Sequence, residues 1–275
     1  MLPRKYGAVA LAAIAATLVL GTASAAASSG SLDPTFGVGG FSTTLIGSWT
    51  GGVASAQQLD GKIVSVGIAV VGGQNEMVAC RLLTNGTLDP SFGKNGSTVV
   101  PIGKSAGADA VAIQSNGSIV IAGSGRSPVT GTLSLAAARL TPNGQLDPSF
   151  GNGGVALVPV GFDAVANAVA IQTDGKLVLG GTALTDHNRF VAARLTANGV
   201  LDPTYGTGGV TLLAPVGSAW GMVLQPDGSV VLGGQETYNG TQAYMAARLD
   251  PNGAPDATFG QQGVVTVPVG STAVG

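Results

Sequence analysis

The chain reads as an all-β protein, a β-propeller built from four-stranded repeats of about 55 residues. Three observations predict this: a hexapeptide recurring at that period, a second and third marker recurring in fixed order behind it, and short apolar runs punctuated by glycine. The hexapeptide is Leu32-Asp33-Pro34-Thr35-Phe36-Gly37, then the copies beginning at Leu88, Leu146 and Leu201, and a degraded Pro255-Asp256-Ala257-Thr258-Phe259-Gly260. Behind it come Gln-x-Asp/Asn-Gly at Gln58, Gln114, Gln172 and Gln225, and Arg-Leu before Asn-Gly at Arg81, Arg139, Arg194 and Arg248. A period of this size means stacked units that bury their apolar faces against one another.

The repeats divide the chain at 31–86, 87–144, 145–199 and 200–253, with a partial copy at 254–275. In the third copy the expected strands are a (Val155–Val160), b (Ala166–Gln172), c (Lys176–Gly180) and d (Phe190–Leu195), each short, apolar and bounded by turn formers. Four antiparallel strands per repeat match a propeller blade. The bookkeeping gives four blades plus an extra strand, because five a-strands stand against four b–c–d sets. Ring closure is left open, either within the chain or by self-association.

Composition agrees. The sequence holds 45 glycines yet is 45% hydrophobic, more apolar than a disordered Gly-rich chain. Residues 1–25 read as a signal peptide: Arg4 and Lys5, an apolar run from Ala8 to Leu20, and small residues at Ala23 and Ala25. That run is too short to span a membrane, which takes about 20 residues. The mature chain, 26–275, is therefore expected to be secreted and to carry no membrane span. Without Arg4 and Lys5 it has 10 basic and 14 acidic residues, a balance that disfavours nucleic acid as a partner. Cys80 is the only cysteine, so no internal disulfide forms.

The pattern L-D-P-[ST]-[FY]-G, Q-x-D-G, A-A-R-L-x-x-N-G resembles the delta-60 repeat, a bacterial family classed with β-propellers. The resemblance covers residues 31–270 and implies fold and export; it implies no biochemical activity. Asn116 and Pro255 depart from the pattern, standing where it has Asp and Leu.

Turn chemistry fixes a register. In Thr141-Pro142-Asn143-Gly144-Gln145, Pro142 suits the first turn position and Gly144 the left-handed one, which makes a three-residue hairpin loop with a G1 bulge. Thr141 then faces Gln145, Leu140 faces Leu146, and Arg139 meets Asp147 on one face. The same spacing pairs Arg81 with Asp89, Arg194 with Asp202 and Arg248 with Asp256. These read as architectural ion pairs, and the aromatics Phe36, Phe92, Phe150, Tyr205 and Phe259 as packing between units. Asp33 has no upstream arginine, which makes the first copy a cap.

Catalytic and metal chemistry finds little support. Gly103-Lys104-Ser105-Ala106-Gly107 has the nucleophile-elbow spelling, but no helix follows it and His187 is the only histidine. Asp60, Asp174 and Asp227 sit singly in Asp-Gly turns, unlike the dense oxygen run of a calcium loop. One Cys and one His make no zinc site. Asn-Gly-Ser/Thr at Asn85, Asn95, Asn116 and Asn239 spells glycosylation sequons but also ordinary hairpin turns. No cofactor and no metal are expected, and no catalytic residue is named.

Charge that the repeat does not explain falls in the c–d connections: Glu76, Arg126, Asp186, His187, Arg189, Glu236, and with them Tyr238. Equivalent loops of a propeller share an end, and binding residues favour loops on a rigid scaffold. The expected function is a secreted binding or surface-interaction module, with a glycan, peptide or surface protein as partner. Two alternatives stand beside it: an extracellular hydrolase or lyase with its site in the propeller funnel, and a self-assembling structural protein.

Overall fold

Short Val-, Ile- and Ala-rich runs separated by Asn-Gly and Asp-Gly turns favour hairpins over helices, and the described residues of the computed structural model form strands and no helix. It describes residues 30–103, 105–238 and 241–268. The leader expected at 1–25 and the side chain of Tyr238 lie outside the described residues.

Four antiparallel meanders follow one another. The first runs β1 (Trp49–Gln57), β2 (Ile63–Val71), β3 (Gln74–Leu82) and β4 (Ser97–Val100). The second runs β5 (Ala106–Ile113), β6 (Ile119–Arg126), β7 (Leu133–Leu140) and β8 (Val155–Val158). The third has β9 (Asp163–Ile171), β10 (Leu177–Leu184) and β11 (Asn188–Leu195), and takes the front of β12 (Val210–Leu224) as its fourth strand. The fourth uses the back of β12 with β13 (Val230–Tyr238), β14 (Thr241–Leu249) and β15 (Val264–Pro268).

Each blade therefore takes b, c and d from one copy and its a-strand from the next. The sequence period and the structural unit are offset by one strand. The extra strand expected in the first copy is not formed: residues 42–46 pair with no strand, and only an isolated bridge joins Val38 to Phe41. Among the described residues no d-strand precedes that segment, and it joins no ladder. The described strands fall into one four-stranded and one eleven-stranded sheet, and neither closes on itself.

The Leu-Asp-Pro motif is a loop thrown out of the d–a hairpin. After the Asn143-Gly144 turn the chain returns for two residues, with Leu140 bridging Leu146 and Asp147 N–H donating to the Arg139 carbonyl at 2.9 Å. It then loops out through Pro148–Gly154 and rejoins the sheet, where Arg139 N–H reaches the Gly154 carbonyl at 2.9 Å and β8 begins. Gly144 N–H closes its turn on the Thr141 carbonyl with φ at +79°.

The core lies between blades. Val64, Val66, Met77 and Ala79 of the first pack on Ala108, Ile119, Ile121 and Ala138 of the second. Val120, Leu135 and Ala137 then meet Leu177, Leu179 and Ala193, and Val178, Phe190 and Ala192 meet Val230, Leu232 and Met245. On the outer side of the first blade, Ile46 covers Ala69 and Val78.

Candidate functional site

The strongest polar groups form one assembly repeated along the chain. Arg81 Nε donates to Asp89 Oδ2 at 2.9 Å, Nη2 to Ser91 Oγ at 3.2 Å, and Nη1 to the Pro142 carbonyl of the next hairpin at 2.6 Å. Its guanidinium lies 4.8 Å from the centre of the Phe92 ring. Arg139 repeats this with Asp147, Ser149, the Ala197 carbonyl and Phe150. Arg194 does so with Asp202, Thr204, the Pro251 carbonyl and Tyr205. Arg248 keeps Asp256, Thr258 and Phe259, and among the described residues no hairpin carbonyl meets its Nη1.

The carboxylates are correspondingly held down. Burial would raise Asp89, but hydrogen bonds from Ser91 and Lys62 and the charge of Arg81 keep it well below the usual aspartate range. Thr204 leads the same effect at Asp202, against burial and with help from Lys176 and Arg194. Each guanidinium ties its own Leu-Asp-Pro loop together over an aromatic ring, and Arg81, Arg139 and Arg194 also join their blade to the next hairpin.

The residues expected to gather in loops are dispersed. The c–d connections are tighter than their sequence suggested: Gly72-Gly73 alone joins β2 to β3, and Thr185-Asp186-His187 joins β10 to β11. Glu76, Arg126, Arg189 and Glu236 are consequently strand residues. Glu76 is buried, bonded to the Ile102 backbone and pushed up by desolvation, with its Oε2 unpartnered. Glu236 is buried and accepts from Thr266 Oγ1. Arg126 Nη1 caps the Gly131 carbonyl of its own turn. None of these side chains bonds to another of the set.

Asp186, His187 and Arg189 do come together. Arg189 Nη2 lies 3.0 Å from Asp186 Oδ1, and His187 Nδ1 lies 3.1 Å from Asp186 Oδ2. Thr185, then Arg189 and His187, hold the Asp186 carboxyl well below its ordinary value. Arg189 Nη1 also reaches the Ala214 carbonyl at 2.7 Å, which fixes this turn against the adjoining strand.

An aromatic that the sequence reading passed over completes the corner. Phe162 N–H donates to the Leu184 carbonyl at 2.7 Å, so the a–b corner is tied to the c–d turn. The Phe162 side chain is 68% exposed, and Leu184 beside it is also exposed. Leu133 N–H donates to Asp163 Oδ1 at 2.8 Å, which brings the Ser127–Thr132 turn of the second blade, with exposed Val129, to the same place. Trp49 holds the matching corner of the first blade, where Ser48 N–H bonds the Val70 carbonyl at 2.9 Å. The available signal was an aromatic one or two residues after the corner glycine, at Gly161-Phe162 and Gly47-Ser48-Trp49. It lay outside the three repeat markers.

Comparison with known proteins places these repeats. The family described as "Domain of unknown function (DUF5122) beta-propeller" matches at residues 58–92, 114–150, 172–205 and 225–259, together just over half of the chain. The chain belongs to this family. Each DUF5122 match starts in the b–c turn, at the Gln-x-Asp/Asn-Gly marker, and ends at the aromatic beneath the arginine, so it spans the assembly described above. No protein of curated function matches the sequence.

Among solved structures, a glycoside hydrolase aligns at 14% identity and TM-score 0.39, over 76% of this chain and 48% of that one. The DUF5122 chain thus spans about half its length. A member of the GH130 family of mannoside phosphorylases, titled for hydrolases that target β-1,2 mannosidic linkages in Candida mannan, aligns at 14% and 0.38 over 74% and 68%. A glycosyl hydrolase from Bacteroides ovatus aligns at 14% and 0.33 over 79% and 69%.

Proposed function

We propose that this protein is a secreted, non-catalytic binding module of four blades, which holds a glycan or a surface protein at the corner of its third blade. The observation that carries the reading is the exposed Phe162 ring tied to a rigid turn that presents Asp186, His187 and Arg189. An aromatic face beside fixed donors and acceptors suits a ligand with one apolar and one polar side, such as a sugar ring. Support from the scaffold is twofold: the corner is anchored by the Phe162 N–H on the Leu184 carbonyl and by the Arg189 side chain on the Ala214 carbonyl, and the repeat arginines are engaged in their own loops. Export rests on the leader pattern of residues 1–25.

The test is a glycan array and a cell-surface binding assay with secreted protein, checked by mass spectrometry to begin within a few residues of Ala26. Phe162→Ala, combined with a Gly-Ser replacement of Thr185–His187, should leave the melting transition in place and lower the signal at least tenfold. Binding that survives both changes would refute the site.

A further inference from the structure

One register position on the inner edge of the blades keeps a fixed geometry and carries a different side chain in every blade. The inner strands β1, β5, β9 and the back of β12 lie side by side, each against the next. Each has a β-bulge at the same place. Gly52 and Ala54 pair with Gly67 and Val66, which leaves Val53 out of the ladder. Asp109, Asn167 and Trp220 are left out in the same way between Ala108 and Ala110, Ala166 and Ala168, and Ala219 and Gly221. The partner strand makes room with a glycine. A Cβ on Gly67, Gly123, Gly181 or Gly234 would stand 2.0 Å from a carbonyl oxygen of the bulged strand.

Packing explains these glycines and the alanines beside the bulges, since Ala108, Ala166 and Ala219 are fully buried. It does not explain the bulged residues. A position kept for packing would hold one residue type, as the glycine position does, whereas this one holds an aliphatic, a carboxylate, an amide and an indole. Trp220 is 55% exposed and Val53 50%, and Asp109 and Asn167, with a blade on each side, are still partly exposed. Bulges re-aim side chains in this manner beside binding sites. Asn167 ties the row together: its Nδ2 donates to the Ala219 carbonyl at 2.6 Å, which brings the amide to the residue preceding the indole.

We infer that this row is a saccharide site, separate from the Phe162 corner, which lies five residues and roughly 15 Å of strand from Asn167. An indole suits the apolar face of a pyranose, and an anchored amide and a carboxylate suit its hydroxyl edge. With a carboxylate and no cation in the row, the ligand it fits is uncharged. Trp220 and Asn167 take one sugar unit, and Asp109, on the neighbouring inner strand, takes the unit beside it.

Trp49 and Trp220 are the only tryptophans, so Trp49→Phe leaves a single indole, at the row. Its emission should shift saturably with at least one of cellobiose, maltose, mannobiose and chitobiose, each titrated to 20 mM, and acrylamide should quench it less when the sugar is bound. Calorimetry with the sugar that responds then reads the variants in the full chain. Trp220→Ala and Asp109→Asn should each weaken binding by about tenfold or more with the melting transition in place. Trp220→Phe, which keeps an aromatic face, should lose less, and Phe162→Ala should change nothing. Silence toward all four sugars, or binding that Trp220→Ala leaves intact, would overturn the proposal. Binding lost with Phe162→Ala and kept with Trp220→Ala would overturn it in favour of the corner.

Discussion

Arg194 Nη1 donates to the carbonyl oxygen of Pro251 at 2.7 Å, joining two blades across 57 residues of sequence. The same guanidinium neutralises Asp202 within its own hairpin and lies on the Tyr205 ring. One side chain thus sets both the excursion of the Leu-Asp-Pro loop and the seating of the next blade.

Removing it should be costly. Arg194→Ala leaves Asp202, which is almost fully buried, without its main cation. Breaking a buried pair from one side costs about 3–5 kcal/mol. Urea unfolding of the variant against the parent measures this, and a loss under about 0.5 kcal/mol, the range of neutral surface changes, would rule out the buried-pair account. Lys176, 3.3 Å from Asp202, should soften the effect, so Lys176→Met in the same background should enlarge it.

Gly144 carries two separate demands. Its φ is +79°, and a Cβ there would stand 2.7 Å from the Phe92 ring. Gly144→Ala should destabilise by more than about 1 kcal/mol. Gly153, at φ +62° with open space where its Cβ would be, supplies the control. Gly153→Ala bears the backbone strain alone and should cost less. Equal losses in thermal denaturation would show that the ring contact contributes nothing.

Acid should unfold the protein through these same carboxylates. Asp89, Asp147, Asp202 and Asp256 are all held below their ordinary value. A carboxyl with a depressed folded pKa contributes stability above its unfolded value, about 3.9 for aspartate, and that stability is lost as pH falls through the folded value. Glu76, pushed up by burial, acts in the opposite sense and is outnumbered. Denaturation midpoints should hold near pH 5 and drop steadily below pH 4. A Asp202→Asn variant should start less stable and show a shallower slope, and parallel curves for the two proteins would contradict the assignment.

What could be read from the sequence was whatever short-range chemistry determines. The Arg139–Asp147 register followed from the position of Pro142 and Gly144 in one turn, because a three-residue loop leaves a single pairing. The third partner of each arginine was not legible, since the Ala197 carbonyl belongs to a copy further along. The offset between copy and blade was hidden for the same reason: periodicity reports the repeat length and is silent on where the sheet begins. Glu76 and Glu236 were misplaced into loops because glycines near them, Gly72-Gly73 and Gly240, suggested long connections. Phe162 escaped notice because its signal, an aromatic just after a corner glycine, lies outside the three repeat markers and recurs only at Trp49.

Because every blade completes itself with a strand from the copy behind it, any cut-and-paste of one whole period adds or removes a finished blade, wherever the cut falls. A duplication starting mid-strand would still restore each hairpin, each arginine carbonyl bond and each ring-on-glycine contact. Copy number can then drift by recombination without passing through a broken intermediate. The fifth hexapeptide has Pro255 and Ala257 in place of the usual Leu and Pro, yet Arg248, Asp256 and Phe259 keep the ion pair and ring contact of the other copies.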